Sequence, residues 1–131
     1  MERVCKYLKE CGTYYLGTTE GDQPRVRPFG TVDIYNGRLC FQTGKRKKVS
    51  EQIHKNPKIE ICACKPGGSW IRIKATAVEE TDVNAQVQML DAYPELKGMY
   101  KAGDGNTEIF YLKDATAVIS SFTEPPVEIR F

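Results

Sequence analysis

The sequence has no apolar run of roughly 18 residues, only one histidine, and none of the common hydrolase or nucleotidase motifs. The missing apolar run excludes a membrane-spanning helix, which needs about 20 apolar residues. No Gly-x-Ser-x-Gly, Walker or His-Glu-x-x-His motif is present, so the usual signals for these enzyme classes are absent. If the protein is an enzyme, we therefore expect a bound cofactor, rather than a side chain, to supply the chemistry.

Cysteines are few, and their spacing does not suggest a framework of bridges. The chain has five, and no two are separated by two residues, which indicates neither a disulfide framework nor a zinc ribbon. We expect Cys62 and Cys64 to be small buried side chains on one face of a strand. Residues 1–6 lack the apolar core of a signal peptide, so the expected location is the cytoplasm.

The excess of charge of one sign is also small. Nineteen Lys and Arg face seventeen Asp and Glu, a formal net charge of +2. A general nucleic-acid coat usually has a strongly basic domain, so a nucleic-acid partner is not expected. The 131 residues contain no internal repeat or low-complexity linker, and we expect one domain over residues 1–131.

Hydrophobic periodicity predicts an order of helix, three strands, helix, two strands, helix, and one or two final strands. The hairpin signal Asn36-Gly37 predicts a type I′ turn, and short turns between strands imply an antiparallel sheet. Closing such a sheet removes its exposed edges, so the predicted class is mainly β, a barrel with added helices. The predicted helices are 2–11, 47–56 and 82–100, and the predicted strands are 13–19, 24–35, 38–43, 58–65, 69–80, 107–122 and 127–131.

The basic run Lys45 to Lys48 lies at a predicted strand-to-helix junction. A helix start offers unpaired backbone N–H groups and the positive end of the helix dipole, so an anion is favoured there. Arg25 and Arg27 lie two apart on a strand and share a face, and the planar arginine fork suits a phosphate. Together the two segments predict one bound phosphate.

A second interpretation of the same residues stays open. In it the basic run is a solvated loop, and the two arginines pair with Asp22 or Asp33.

Three further features have two interpretations each. Pro28-Phe29-Gly30 predicts a bulge or an edge, where Gly30 allows close approach of a flat ligand, or else a simple strand kink. Trp70 beside Ser69 could stack on a ring system, or could belong to the core or a dimer interface. His54 lies beside Lys55 on the predicted helix, which favours a surface histidine over a general base.

Four segments, taken in order, resemble the pyridoxamine phosphate oxidase-like proteins with a flavin-binding split barrel. They are residues 24–29, 41–49, 52–61 and 70–73, and the likeness extends to 93–97 and 109–112. Within that family the chain is most similar to the small members that include the nitroimidazole-resistance reductases. The resemblance implies a six-stranded antiparallel split barrel that forms a homodimer, with FMN in a cleft between the subunits.

The resemblance also implies that eight side chains surround the FMN. They are Arg25, Arg27, Gln42, Thr43, Lys47, Lys48, Ser69 and Trp70. The arginines would reach the phosphate or line the ring, the glutamine and threonine would contact the isoalloxazine edge and the phosphate, and the lysines would bind the phosphate. The serine and tryptophan would border the cleft from this subunit or from its partner.

The function implied by the resemblance is an FMN-dependent oxidoreductase that reduces a small organic acceptor, such as a nitro compound or a quinone. A non-catalytic flavin or haem carrier, or a sensor, is the alternative, because no acid–base pair is evident. A small-barrel nucleic-acid binder that uses Lys45 to Lys48 is a third. The tail 123–131 holds one arginine, so oxidation of pyridoxamine phosphate is not expected. No catalytic side chain and no metal ligand is predicted.

Overall fold

The computed structural model describes residues 1–131 as one antiparallel sheet of eight strands with helices packed on it. The helices are α1 (Glu2–Cys11), α2 (Lys48–Lys55) and α3 (Val83–Ala92), and a short 3-10 helix covers Pro94–Gly98. The strands are β1 (Tyr14–Glu20), β2 (Gln23–Phe29), β3 (Asp33–Tyr35), β4 (Arg38–Gly44), β5 (Lys58–Lys65), β6 (Ser69–Glu80), β7 (Thr107–Ser121) and β8 (Val127–Arg130).

The sheet curls until its two ends meet, which confirms the predicted split barrel. Its strand order is β2-β1-β5-β6-β7-β4-β3, and β8 pairs with β7. Although β2 and β4 lie near opposite ends of this order, the rings of Phe29 and Phe41 are in contact, with centroids 5.5 Å apart. Six strands have seven or more residues, and the other two, β3 and β8, are short. The six-stranded expectation therefore describes the long strands.

The predicted strand 24–35 is in fact two strands. It is interrupted after Phe29 and resumes as β3 at Asp33. Pro28 has no N–H to donate to a ladder, and Gly30 follows Phe29; these residues had predicted a bulge, an edge or a kink within one strand. The turn after β3 is as predicted, because Asn36 and Gly37 both have positive φ, at 51° and 72°.

The main apolar core includes buried residues of the sheet, of α1 and of α2, and a smaller second cluster lies where α3 packs on β4 and β7. On β5, Ile59, Ile61 and Ala63 face the main core. Cys62 and Cys64 therefore lie on the outer face, one partly buried and one exposed, so the expectation that both are buried was wrong. The alternation itself was predicted correctly. No helix in the structure is both long enough and apolar enough to cross a membrane.

Candidate functional site

Two neighbouring residues at the end of β4 have buried polar atoms without partners. Gln42 and Thr43 are 5 % and 3 % exposed, and the Oε1 and Nε2 atoms of Gln42 and the Oγ1 atom of Thr43 make no hydrogen bond. A buried polar group without a partner costs about 1–3 kcal/mol. Such groups point to a ligand that supplies the missing hydrogen bonds.

A cavity of about 170 Å³ opens beside these two residues. Its wall includes Lys47, which connects it to the start of α2. The segment Pro28 to Gly30 also lines it, which supports the interpretation of this segment as part of a ligand site. The remaining lining residues are Thr31, Leu96, Met99 and Tyr100.

The start of α2 is arranged to receive an anion. Lys47 is the N-cap residue in an extended conformation, and no side chain caps the first turn. The first-turn N–H groups and the positive end of the dipole therefore lie beside the exposed side chains of Lys47 and Lys48. Lys45 is directed elsewhere, since its Nζ lies 3.9 Å from a carboxylate oxygen of Glu79.

Arg27 is fixed between β1 and α2 by three hydrogen bonds, two to β1 and one to α2. Its Nη1 donates to the hydroxyl of Thr18 at 2.7 Å and to the carbonyl of Leu16 at 3.2 Å, and its Nη2 donates to Oε1 of Gln52 at 2.6 Å. Burial lowers the pKa of Arg27, and the charge of Arg25 lowers it further. Arg27 thus presents a fixed positive charge next to the helix.

Arg25 lies on the same face of β2 but is exposed and engaged by an acid. Its Nη2 donates to Oε1 of Glu20 at 2.9 Å, and hydrogen bonds from Arg25 lower the pKa of Glu20. The alternative pairing with Asp22 or Asp33 is wrong for both arginines, because Asp33 instead accepts from Lys9 at 3.1 Å.

Ser69 and Trp70 lie far from this cluster within one chain. Ser69 begins β6 and pairs with Ser121, whereas Glu80 at the other end of β6 pairs with Ile109, which is next to Gln42. The two ends are separated by roughly 36 Å of strand, at about 3.3 Å per residue.

The two residues have partners of their own at that far end. Oγ of Ser69 lies 2.7 Å from the hydroxyl of Tyr7, and the ring of Trp70 packs on Phe122 with centroids 5.2 Å apart. A shared cleft with Gln42 would need a second subunit, so their role stays a prediction.

Sequence reasoning missed several residues of the site. Gln52 accepts a hydrogen bond from Arg27 and fixes its position. A polar glutamine on the buried face of α2, between Val49 and Ile53, was the sequence feature that could have indicated this contact. Met99 and Tyr100 reach the cavity from the end of the 3-10 helix. No local pattern indicates this contact, because it depends on how that segment folds back over β4.

A larger cavity, of about 680 Å³, lies elsewhere, across β1, β2, β5 and β6. Arg25 lines this larger cavity and not the one beside Gln42, so the structure does not bring this predicted FMN residue to the smaller cavity. The other charged lining residues have both signs: Lys58, Lys74, Glu60 and Asp114. The three unpartnered buried side-chain atoms all belong to β4, so the smaller cavity is the better candidate site.

Comparisons with known proteins identify the family of the chain. A family model described as pyridoxamine 5'-phosphate oxidase matches residues 1–117. A solved structure of a nimC/nimA family protein from Clostridium acetobutylicum is 38 % identical with a TM-score of 0.97, and the match covers 100 % of this chain and 92 % of the other. A comparison with curated proteins finds no match.

Two solved structures of lower identity share the fold. A pyridoxamine 5'-phosphate oxidase-related, FMN binding protein from Nostoc punctiforme is 13 % identical with a TM-score of 0.62, over 96 % of this chain and 90 % of the other. A heme binding protein from Mycobacterium smegmatis is 12 % identical with a TM-score of 0.72, over 94 % of this chain and 57 % of the other.

Proposed function

The chain belongs to the pyridoxamine 5'-phosphate oxidase family, and we propose that it binds FMN. We further propose that it acts as an oxidoreductase on a small organic acceptor of the nitro or quinone type. The observation that carries the proposal is the unpartnered amide of Gln42 and hydroxyl of Thr43 beside the uncapped start of α2. FMN offers both kinds of hydrogen-bond partner that these residues lack: a phosphate that accepts, and a ring edge that donates and accepts.

The phosphate would be bound at the start of α2. Lys47 and Lys48 supply positive charge there, and the first-turn N–H groups donate hydrogen bonds along the dipole. Arg27, already fixed by Gln52, adds a second charge from β2. The hydroxyl of Thr43 can donate to the same phosphate.

The ring edge would lie over β4, where the amide of Gln42 can both donate and accept. When bound, FMN supplies the redox chemistry, which no side chain of this chain provides. The residues of the chain bind the phosphate, orient the ring edge and exclude water. Phe29, Leu96 and Met99 give the cavity its apolar walls for the last of these roles.

We also propose a homodimer whose interface completes the site. The cavity of about 170 Å³ is smaller than the roughly 300–1,000 Å³ of typical small-molecule sites, so one chain alone does not enclose the cofactor. Phe122 is 88 % exposed next to Trp70, and this apolar surface is suited to a partner subunit. Size-exclusion chromatography with light scattering should give twice the chain mass, and a monomer with FMN bound would contradict a shared cleft.

A flavin or haem carrier on the same fold is the second candidate, because the cavity contains no acid–base pair. The heme binding protein noted above shares the fold, which keeps haem in consideration. The single histidine, His54, bonds to Glu108 outside the cavity lining, so a haem there would have no imidazole ligand from this chain. This favours flavin.

Two spectroscopic experiments separate these candidates. The purified protein, or the protein after addition of FMN, should show a flavin spectrum, whereas a haem band without flavin would support the carrier. NAD(P)H oxidation with a nitroaromatic acceptor should exceed the rate with free FMN, and equal rates would exclude the enzyme proposal.

A cytoplasmic location is part of the proposal, because all five cysteines are free, which fits a reducing compartment.

A further inference from the structure

Three potential metal ligands converge outside the candidate cofactor site. They come from separate elements: His54 from the last turn of α2, Glu79 from β6 and Glu108 from β7. Nε2 of His54 lies 2.7 Å from Oε2 of Glu108 and 3.5 Å from Oε1 of Glu79. One ligand atom from each residue lies within 4.8 Å of the other two.

The two carboxylates of the cluster have few basic neighbours, because only His54 and Lys45 lie within 4 Å of their oxygens. Glu108 has only 1 % of its side chain exposed, and a buried carboxylate is costly unless it is compensated. Nε2 of His54 can donate one hydrogen bond, and the acceptor nearest to this atom is Oε2 of Glu108. Glu79 then has only long contacts, at 3.5 Å to His54 and 3.9 Å to Lys45. A cation between the three groups would compensate both carboxylates at once.

The surroundings hold the ligands in position. Ser50 donates a hydrogen bond to Oε1 of Glu108, which leaves Oε2 facing the imidazole. The ring of His54 packs on Phe110 with centroids 5.5 Å apart, which limits its rotation. Supporting contacts of this kind orient the ligands in known metal sites.

From this geometry we propose that His54, Glu79 and Glu108 form a binding site for a divalent first-row metal ion. Ligands at about 2.0–2.2 Å from an ion lie roughly 3–3.6 Å from one another, so the 3.5 Å contact already fits and the 2.7 Å contact must open by less than about 1 Å. The Glu79 and Glu108 oxygens lie within 4.8 Å of each other, so they need to approach by no more than about 2 Å. One imidazole with two carboxylates suits Mn²⁺ or Zn²⁺, with water at the exposed side. The ion would tie α2 to the sheet beside Thr43, which pairs with Glu108.

The proposal does not depend on FMN binding, and a direct test uses the single histidine. The full chain, made without a histidine tag and treated with chelator, is titrated with Mn²⁺ while the imidazole ring signals are followed by NMR. All imidazole signals then belong to His54, because the sequence contains no other histidine. We use Mn²⁺ because the five free thiols would compete for softer ions. Saturable, chelator-reversible broadening with one ion per chain is expected.

Three variants make the test specific. Glu79→Gln should weaken Mn²⁺ binding by about tenfold or more, and His54→Gln should do the same when free Mn²⁺ is measured by EPR. Glu51→Gln is the matched control, because Glu51 lies on the exposed side of α2 and pairs with Lys55 instead. Its affinity should equal that of the unmodified chain. Absence of saturable binding, or equal binding by the Glu79→Gln and Glu51→Gln proteins, would overturn the proposal.

Discussion

Replacing Gln42 by leucine should stabilise the cofactor-free protein and weaken its binding of FMN. The side chain is 5 % exposed, and neither amide atom has a partner, so the ligand-free chain bears an uncompensated desolvation cost. Leucine is of similar size and has no polar atom to desolvate. The expected gain is about 1–3 kcal/mol of unfolding free energy.

This gain can be measured as a melting temperature. A chain of 131 residues has an unfolding entropy of about 0.28 kcal/mol/K, at about 2.1 cal/mol/K per residue. The Gln42→Leu protein should therefore melt roughly 4–11 °C higher by scanning calorimetry in the absence of flavin. The same substitution removes about two ligand hydrogen bonds, worth roughly 0.5–1.5 kcal/mol each, so FMN affinity should fall about 5- to 150-fold.

Gln52 provides the matched control, since it is an equally buried glutamine with partners. It is 4 % exposed, and its Oε1 accepts from Thr18 at 2.6 Å and from Arg27 at 2.6 Å. Gln52→Leu leaves those donors unpaired and should lower the melting temperature. A melting-temperature shift in the same direction for both leucine variants, or an unchanged FMN affinity of the Gln42→Leu protein, would contradict an unpaired, ligand-binding amide at Gln42.

Two other predictions concern charge. Replacing Lys47 and Lys48 together by alanine should weaken FMN binding far more than replacing Lys45 and Arg46, because only the first pair lies at the start of α2; equal losses in a fluorescence titration would contradict this division. Hydrogen bonds from backbone N–H groups hold the pKa of Asp104 well below its ordinary 3.8, so its contribution to stability is present above about pH 4 and is lost as the pH falls further. Asp104→Asn should therefore lower the melting temperature at pH 7 but not near the acid limit, and a constant deficit from neutral to acid pH would contradict the assignment.

Local patterns predicted most of the secondary structure. Asn36-Gly37 specified its turn because both residues tolerate positive φ, and Pro94 ended α3 because it cannot continue a helix. Alternation on β5 identified two faces but not which residues of the outer face a neighbour covers, and so the burial of Cys62 and Cys64 was misjudged. A sequence pattern gives the spacing of apolar residues along a strand, but it does not show which element packs against each face of that strand.

The site was only partly predictable for the same reason. The run at the start of α2 is contiguous in sequence, and its position could be derived from the strand before it and the helix after it. His54, in contrast, meets Glu108 across 54 residues, a contact created only by the placement of α2 on β7. The Gln52 contact to Arg27 spans 25 residues and is equally non-local. Such contacts depend on the tertiary fold, and no spacing rule indicates them.

Comparing FMN with riboflavin, which differs from it only by the phosphate, tests most directly whether the chain binds FMN through a phosphate site at the start of α2. Each flavin is titrated into the flavin-free protein, and quenching of flavin fluorescence gives the affinity. We expect saturable FMN binding and riboflavin binding weaker by about a hundredfold or more, since two charge-assisted contacts of roughly 1.5–3 kcal/mol each are lost. The alanine variant at Lys47 and Lys48 should abolish most of this difference. Absence of any spectral response to FMN would contradict FMN binding, and equal affinity for the two flavins would contradict a phosphate site at the start of α2.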